Sequence, residues 1–310
     1  MSDILVSVII PNYNHAKYLD ERINSVLNQT CQNFEIIILD DCSSDNSKSV
    51  IEKYRSNPHV SHINYNEVNS GSTFEQWHKG FELAKGELIW IAESDDYCSN
   101  DMLDKLVNEF RSHPDTVISY STSTRVDGEG KILMSPIKRK TQHFKGIYFI
   151  KNYLTQGNSI QNASSCVFLK SAALNISQDY TQYKGAGDRL FWIYIAEQGD
   201  VSVINQGLNF FRRHSTNSTS KYYTSGQNYK EDKFIFDYLK GKGYINYFRE
   251  CQAKFFIQNS INHVNFDTED IRQDVIDTWK ISKLEFVVGT IYYYIISYCR
   301  KLCYLWQMSF

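Results

Sequence analysis

Residues 87–97 read ELIWIAESDDY, and this stretch decides the fold class. Its apolar first half is typical of a short strand buried inside a parallel sheet. The strand runs directly into Glu93, Asp95 and Asp96, whose mutual repulsion is costly beside apolar residues. Because ligands of open α/β sheets bind at the carboxyl ends of the strands, the stretch predicts a metal and nucleotide site. The alternative is a solvated acidic turn that caps the next helix.

Two other predicted strands also end in polar residues. Residues 6–10 (VSVII) are stopped by Pro11 and Asn12, and residues 34–39 (FEIIIL) end in Asp40 and Asp41. Strands alternate with helices as far as residue 121, which predicts a mostly parallel sheet flanked by helices. The carboxyl ends of such strands lie along one edge, so we expect one shared site there.

The amino-acid composition argues against several classes of protein. The chain has 310 residues and a formal net charge of -2, so it lacks the basic surplus that nucleic-acid binding requires. Its seven cysteines are scattered without a CxxC pair, which favours reduced thiols over a disulfide or zinc framework. The amino terminus shows no signal peptide, so we expect a cytoplasmic protein.

The second half of the chain has a different sequence pattern from the first half. Residues 126–146 are polar and predict a hairpin or a flexible excursion, while residues 201–204 predict a strand. Asp188 precedes a predicted helix, where the helix dipole favours a negative charge. Beyond residue 226 the pattern is helical. We therefore expect an α/β catalytic domain over 1–220 and a C-terminal helical region over 221–310.

Five ordered motifs carry a resemblance to a known family. They are VSVIIPNYN (6–14), FEIIILDDCSSDNS (34–47), KGELIWIAESDDY (85–97), GDRLFW (187–192) and FRRHSTNS (211–218). Together they resemble the inverting glycosyltransferases of family 2, which have the GT-A fold, and the match covers about residues 4–220. The resemblance implies an enzyme that moves a sugar from a nucleoside diphosphate to a hydroxyl of a glycan or lipid-linked acceptor, in cell-surface polysaccharide synthesis.

The resemblance also implies roles for residues at the nucleotide. Pro11, Asn12 and Tyr13 match the loop beside the base and ribose, and Asp41 matches the carboxylate that accepts a hydrogen bond from the base. Uracil and thymine carry an N3 proton that a carboxylate can accept, whereas cytosine has none. UDP or dTDP is therefore favoured over CDP, and the N1 proton of guanine leaves GDP open.

Further roles concern the metal, the diphosphate and the acceptor. Asp95 matches the acidic residue nearer the ribose, and Asp96 matches the ligand of Mn²⁺ or Mg²⁺, with His214 as a second candidate ligand. Asp188 matches the general base, and its alternative role is to cap its helix. The candidates for contact with the diphosphate are Arg212, Arg213 and Lys79.

One segment departs from the family pattern. The family often has an arginine that contacts the nucleotide in the helix after the Asn-x-Gly turn, but here residues 71–80 read GSTFEQWHKG. This departure puts the nucleotide contacts of that helix in doubt. Lys79 is the basic residue there that could substitute for the arginine.

The tail from 284 to 306 allows two interpretations. Residues 284–298 are almost wholly apolar but shorter than the ~20 residues that span a bilayer, and tyrosines and flanking basic residues suit a helix lying on the inner face of the membrane. The alternative is a helix that packs on the catalytic domain or on a second subunit of a homo-oligomer.

Two other functions compete with sugar transfer. A sugar nucleotidyltransferase also uses acidic strand ends and a metal, but it usually needs a glycine-rich loop where this chain reads PNYNHAKY. The same lack of glycines argues against a dinucleotide-binding oxidoreductase. A catalytically degenerate scaffold subunit is the non-enzymatic alternative, and the presence of Asp41, Asp95, Asp96 and Asp188 argues against it.

Overall fold

The computed structural model describes residues 4–155, 157–213 and 218–308. His214, a candidate metal ligand, therefore lies outside the described residues. In chain order the strands are β1 (Val6–Asn12), β2 (Phe34–Asp40), β3 (Val60–Tyr65), β4 (Leu88–Ile91), β5 (Tyr97–Cys98), β6 (Thr116–Val126), β7 (Ile132–Met134), β8 (Gln142–Phe144), β9 (Cys166–Leu169) and β10 (Asp200–Arg212).

Twelve α-helices accompany these strands in the part of the chain that the structure describes. They are α1 (Ala16–Leu27), α2 (Ser47–Glu52), α3 (Thr73–Leu83), α4 (Met102–Ser112), α5 (Gly146–Phe149), α6 (Lys170–Leu174), α7 (Gly187–Ala196), α8 (Ser218–Thr224), α9 (Gln227–Gly241), α10 (Tyr247–His263), α11 (Glu269–Trp279) and α12 (Lys283–Met308).

The strands form one sheet in the order β3-β2-β1-β4-β9-β6-β10-β5, with β7 on β6 and β8 on β10. The first four strands are parallel, and β1 and β2 are buried along their whole length. Their continuous apolar sequences follow from burial on both faces. In this half of the sheet Asn12 lies opposite Asp40, so two polar strand ends are adjacent.

The other half of the sheet is mixed. Strand β9 is antiparallel to both β4 and β6, whereas β10 runs parallel to β6 over most of its length. The sequence pattern predicted a mostly parallel α/β sheet with C-terminal helices, and the structure confirms this class. It also extends the strands expected at 116–121 and 201–204 to β6 and β10, because these two long strands pair with each other along their length.

Two helices are fixed against the sheet by close packing. A Cβ added to Gly80 of α3 would lie 2.6 Å from the side chain of Ile9 in β1, so only glycine permits this approach. In the same helix, Trp77 packs edge-on against Phe191 of α7, at 5.7 Å between ring centroids. This aromatic layer holds the first turn of α7 beside α3, which matters for the site below.

By its internal contacts the described chain divides into two units. Residues 4–149, 159–182 and 187–213 form the first, and residues 150–155, 157–158, 183–186 and 218–308 form the second. All the candidate site residues within the described ranges belong to the first unit. The domain boundary at 220/221 remains a prediction, and the short segments of the second unit that precede residue 218 had no signal in the sequence.

The second unit is helical. Helix α12 packs against α10, where a Cβ on Gly289 would lie 2.1 Å from the carbonyl oxygen of Cys251, and Phe255 stacks on Tyr293 at 5.5 Å. The buried carboxylate of Glu231 accepts backbone N–H groups from Lys184, Gly185 and Ala186, each at 2.8 Å. In the described part of the chain, every helix is too short or too polar to cross a bilayer.

Candidate active site

The end of β1 is tied to the end of β2 by Asn12. Its side chain is 2% exposed, and Nδ2 donates to Asp40 Oδ1 at 2.7 Å and to Ser43 Oγ at 3.1 Å. Its Oδ1 is also buried, and no described residue donates a hydrogen bond to it. The next residue, Tyr13, is 49% exposed. The buried Oδ1 of Asn12 and the exposed ring of Tyr13 therefore belong to adjacent residues, at the position where the sequence predicts that the nucleotide binds.

Asp41 is the centre of a dense hydrogen-bond network. Its backbone N–H donates to Asn12 O at 2.8 Å, and its carboxylate is 5% exposed. The donors to this carboxylate are Asn66 Nδ2, Asn69 Nδ2, Ser70 N, Ser70 Oγ and Gln76 Nε2, at 2.6–3.1 Å. Asp41 therefore fixes the whole segment that leads into α3, and a base N–H that reached it would share its oxygens with these donors.

Lys79 lies behind Asp41 in this network. Its Nζ donates to Asn64 Oδ1 at 2.6 Å and to Asn66 Oδ1 at 2.7 Å. The amide of Asn66 in turn donates to Asp41, so Lys79 orients Asn66 for that contact. In this structure the charged group of Lys79 is therefore engaged by Asn64 and Asn66.

The acidic loop after β4 contains a buried carboxylate, Asp96. It is 1% exposed, and its Oδ1 and Oδ2 accept hydrogen bonds from Arg212 N at 2.9 Å and Asn162 Nδ2 at 2.6 Å. Burial and the neighbouring charge of Asp95 raise the pKa of Asp96 to about 6, although Arg22, 3.9 Å away, opposes this shift. Asp96 therefore joins three separate parts of the chain.

Glu93 is the second crowded carboxyl of this loop. Its Oε1 accepts a hydrogen bond from Trp77 Nε1 at 3.0 Å, and Trp77 itself is 2% exposed. Burial, and then the charges of Asp95 and Asp96, raise the pKa of Glu93 to about 8. Glu93 and Asp95 are both partly exposed, whereas Asp96 is buried.

These carboxyls fit a divalent cation. Burial, and after it the charge of Asp95, raises the pKa of both Glu93 and Asp96, and Arg22 only partly opposes these shifts. The available donors are carboxylate oxygens, which are the ligands that Mg²⁺ and Mn²⁺ prefer. A cation held at the partly exposed Asp95 would relieve this crowding.

Arg212 is buried beneath the same loop. Its side chain is 2% exposed, its Nε donates to Asp95 O at 2.8 Å and its Nη1 to Gly128 O at 3.1 Å, while Nη2 pairs with Glu21. The guanidinium also lies 4.6 Å from the ring centroid of Tyr18. Arg212 thus links the acidic loop to the end of β10, and its guanidinium makes these contacts.

Arg213 is the exposed member of the pair. Its guanidinium lies 4.5 Å from the ring centroid of Phe211. Partial burial and the nearby charge of Arg125 lower the pKa of Arg213, and Asp96 opposes this shift. Two guanidinium groups therefore repel each other close to the acidic loop, an arrangement that a bound phosphate would stabilise.

Asp188 lies in the first turn of α7 and is partly exposed. Its Oδ1 accepts the backbone N–H of Arg189 at 2.7 Å. A Cβ on Gly187 would lie 2.6 Å from the ring of Phe74 and from Tyr180 O, so this turn packs tightly against the start of α3. Trp77 therefore contacts both the loop that carries Glu93 and, through Phe191, the helix that carries Asp188.

Three residues that sequence reasoning did not assign take part in this site. Gln76 and Trp77 stand in the helix that lacks the family's arginine, and they donate to Asp41 and Glu93 respectively. Arg125 is a lone arginine in β6, and only the pairing of Phe211 with Arg125 brings it beside Arg213. The departure from the family pattern in α3 was itself the signal for the first two.

Comparison with known proteins decides the family. The family model described as "Glycosyl transferase family 2" matches residues 7–175, which is more than half of the chain. The chain belongs to glycosyl transferase family 2. The match includes β1, β2 and β4 with their polar ends, and it stops before Asp188.

Individual relatives agree with family 2. The glycosyltransferase GlyG of Streptococcus pneumoniae is 35% identical over 126 residues, 40% of this chain and 42% of GlyG. Chondroitin synthase of Escherichia coli is 32% identical over 130 residues, 42% of this chain and 18% of that protein. The matched parts cover less than half the length of the curated relatives first matched.

Solved structures support the GT-A fold of family 2. The S. aureus TarS 1–349 structure in complex with UDP-GlcNAc superposes with a TM-score of 0.61 over 89% of this chain and 71% of that one, at 20% identity. At this identity the likeness concerns the fold. The recognition of family 2 and of the GT-A fold from the sequence motifs is thereby confirmed.

Proposed function

We propose that this chain is an inverting, metal-dependent glycosyltransferase that moves a sugar from a nucleoside diphosphate to a hydroxyl of a glycan or lipid-linked acceptor. The observation that supports the proposal is that Trp77 contacts both Glu93 of the acidic loop and Phe191 of the helix that carries Asp188, in a chain of glycosyl transferase family 2. Curated relatives include a poly(ribitol-phosphate) β-N-acetylglucosaminyltransferase and chondroitin synthases, which supports a role in cell-surface polysaccharide synthesis.

The base and ribose bind where β1 and β2 end. Pro11, Asn12 and Tyr13 line this position, the exposed ring of Tyr13 offers a stacking surface, and the buried Oδ1 of Asn12 offers an acceptor. The carboxylate of Asp41 accepts a hydrogen bond from the N3–H group of uracil or thymine. It accepts hydrogen bonds from the surrounding amides at the same time. UDP and dTDP donors are favoured on this ground, and the TarS complex with UDP-GlcNAc agrees with a uridine nucleotide.

The acidic loop holds the cation. The exposure of Asp95 supports it as the residue that reaches the ion, whereas both oxygens of Asp96 are already bonded to Arg212 and Asn162. Asp96 supports the ion from beneath, and His214 remains a candidate second ligand. Bound Mn²⁺ or Mg²⁺ would offset the charge that develops on the leaving diphosphate.

Basic residues of the chain receive the diphosphate. Arg213 is exposed, and Arg125 lies close enough to perturb its pKa, so the two guanidinium groups form a cationic pair beside the acidic loop. A phosphate placed between them would relieve their mutual repulsion. Arg212 and Lys79 act indirectly, since Arg212 anchors the acidic loop and Lys79 orients Asn66 toward Asp41.

Asp188 supplies the base. Its ionised carboxylate accepts the proton of the acceptor hydroxyl as that oxygen attacks the anomeric carbon of the donor sugar. The bond to the diphosphate breaks on the opposite side of the same carbon. A single displacement of this kind inverts the configuration at that carbon. The aromatic layer of Trp77 and Phe191 keeps the turn that carries Asp188 in place.

A donor screen tests this function. Purified full-length chain is incubated with UDP-, dTDP-, GDP- and CDP-sugars and with glycan acceptors, and released nucleoside diphosphate is measured with Mn²⁺, Mg²⁺ or a chelator. We expect turnover with UDP- or dTDP-sugars that the chelator abolishes, and a product of inverted configuration by NMR. Calorimetry that showed no metal-dependent binding of UDP would instead support a scaffold subunit.

Helix α12 supports a peripheral contact with the membrane. Most of the face predicted from the sequence is exposed: Leu284, Ile291, Ile295 and Tyr298 are 55–67% exposed, whereas Val288 is partly buried. Val287 and Tyr294 extend it, at 51% and 64%. A lipid-linked acceptor would lie in the membrane on which such a face docks.

Charged substitutions on this face test the contact while sparing the packing on α10. The triple variant Val287→Asp, Ile291→Asp, Ile295→Asp should bind anionic vesicles at least about tenfold more weakly in flotation assays, because three exposed apolar side chains no longer enter the lipid. Phe234→Asp changes an equally exposed residue of α9 and should bind as the wild type does. If the triple variant floated normally but sedimented as a smaller species, the face would be a subunit contact.

A further inference from the structure

A Glu–His–His cluster lies near the start of β10. Glu109 is in α4, His113 directly follows that helix, and His143 is in β8. Each residue offers one ligand atom, and the three atoms lie within 4.8 Å of one another. None of these residues has a role in the proposed sugar transfer.

The backbone fixes all three positions. Glu109 and His113 are one helical turn apart, and His113 N donates to Glu109 O at 2.9 Å. The next strand is joined to them, because Thr116 N donates to His113 O at 3.0 Å. His143 lies opposite Ser202 in the antiparallel pairing of β8 with β10. Regular secondary structure therefore brings the three side chains together.

Two of the three separations between ligand atoms are close to those of a zinc site. His143 Nδ1 lies 3.5 Å and His113 Nδ1 lies 3.7 Å from the same oxygen, Glu109 Oε2. Zinc bonds of about 2.0–2.2 Å in tetrahedral geometry place two ligand atoms roughly 3.4 Å apart. The same separations are long for direct hydrogen bonds.

The chemistry of the cluster also favours a metal. Glu109 Oε2 is buried, and no described residue donates a hydrogen bond to it. The imidazole rings of His113 and His143 stack with their centroids 3.7 Å apart, so the two candidate ligands lie side by side. Two imidazoles beside a carboxylate oxygen that lacks a hydrogen-bond donor are a set of groups that a metal ion can bind.

Ser202 completes the surroundings. Its Oγ lies 3.0 Å from His143 Nδ1 and 3.4 Å from Thr116 Oγ1. Without a metal, the hydroxyl can donate to His143. When a metal takes the lone pair of that nitrogen, the hydroxyl can turn to Thr116, so binding leaves no new unsatisfied group.

We propose that Glu109, His113 and His143 bind one zinc ion, with water in the fourth position. Two imidazoles and one carboxylate are typical zinc ligands, whereas Mg²⁺ and Mn²⁺ prefer sets of oxygens such as the acidic loop. Water can reach the open position because the side chains of His113 and His143 are 44% and 39% exposed.

This zinc site is separate from the acidic loop and joins β8 to the end of α4. Ser202 at the cluster and Arg212 at Asp96 lie near opposite ends of β10, roughly 30 Å apart along the strand. The polar segment between β6 and α5 (residues 127–145) contains Gly128 near its start and His143 near its end. Gly128 accepts a hydrogen bond from Arg212. Zinc therefore fastens the far end of this segment to α4.

Zinc titration of the full-length chain tests the proposal. Chelator-treated protein is titrated with Zn²⁺ by calorimetry, and we expect one tight site per chain. Glu109→Gln and His143→Ala should each weaken that site at least about tenfold, since loss of a ligand costs no less than loss of an outer-shell partner. His78→Ala is the matched control, because His78 Nε2 lies 3.6 Å from Glu82 at the same i,i+4 spacing.

Two further measurements separate this site from the acidic loop and from misfolding. Asp95→Asn should keep the tight zinc site, and wild-type protein titrated with Co²⁺ should show the strong visible absorption of four-coordinate cobalt. The proposal is overturned if Glu109→Gln and His143→Ala bind zinc as the wild type does, if Asp95→Asn alone loses the zinc, or if cobalt gives only a weak octahedral spectrum.

Discussion

Asp188→Asn should lower kcat for sugar transfer by about 10²–10⁴-fold and leave KM for the donor near the wild-type value. Asparagine cannot accept the proton of the acceptor hydroxyl, whereas its Oδ1 can still accept the N–H of Arg189 that Asp188 accepts at 2.7 Å. The first turn of α7 therefore keeps its structure while the base is lost. The measurement is steady-state release of nucleoside diphosphate at saturating acceptor.

Asp179→Asn is the matched control. Asp179 is another partly exposed aspartate of the first unit, and its Oδ2 accepts a hydrogen bond from Tyr194 Oη at 3.0 Å, which asparagine can also accept. Its variant should turn over at the wild-type rate. Calorimetric binding of UDP with Mn²⁺ should be unchanged in both variants. If Asp188→Asn transferred sugar at the wild-type rate, Asp188 would not be the general base. The proposal for the nucleotide site would still stand.

The parallel half of the sheet and its polar edge could be predicted because both depend on local sequence. Apolar runs that end in Asn12, Asp41 and Asp96 identify buried strands, and parallel pairing places such ends side by side. The contact of Asn12 with Asp40 is the direct result. Family 2 membership followed from the same ordered motifs.

The role of each charged residue could not be predicted, because it depends on strand register. Arg212 and Arg213 are adjacent in sequence, yet one is 2% exposed and the other is exposed, since β10 alternates its side chains between two faces. Arg125 becomes the neighbour of Arg213 only through the pairing of β6 with β10. His143 likewise reaches Glu109 only because β8 pairs with β10, and no local pattern encodes that pairing.

The two aspartates of the acidic loop differ for the same reason. They are neighbours in the sequence, and the resemblance placed Asp95 nearer the ribose and Asp96 on the ion. In the structure Asp96 lies beneath the loop and receives hydrogen bonds from Arg212 and Asn162, whereas Asp95 is partly exposed. The two positions should therefore respond differently to the same substitution.

Asp95→Asn should weaken metal-dependent UDP binding at least about tenfold and reduce transfer to a similar or greater extent, with the free energy of unfolding unchanged. Asp96→Asn should instead destabilise the protein by about 1–3 kcal/mol, because the asparagine amide would face the Asn162 amide as donor against donor. Both variants are compared with wild type by calorimetry with UDP and Mn²⁺ and by denaturant unfolding in the presence of chelator.

The pattern of losses decides which aspartate reaches the ion. A second substitution at Asn162 can compensate for Asp96→Asn. In the double variant with Asn162→Asp, the amide at 96 can donate to the carboxylate at 162, which reverses the direction of the original hydrogen bond. The double variant should therefore recover part of the lost stability. No such second-site change should restore metal binding to Asp95→Asn. If Asp96→Asn kept full stability but lost metal-dependent UDP binding, while Asp95→Asn kept it, the ion would belong to Asp96, as the family resemblance alone implies.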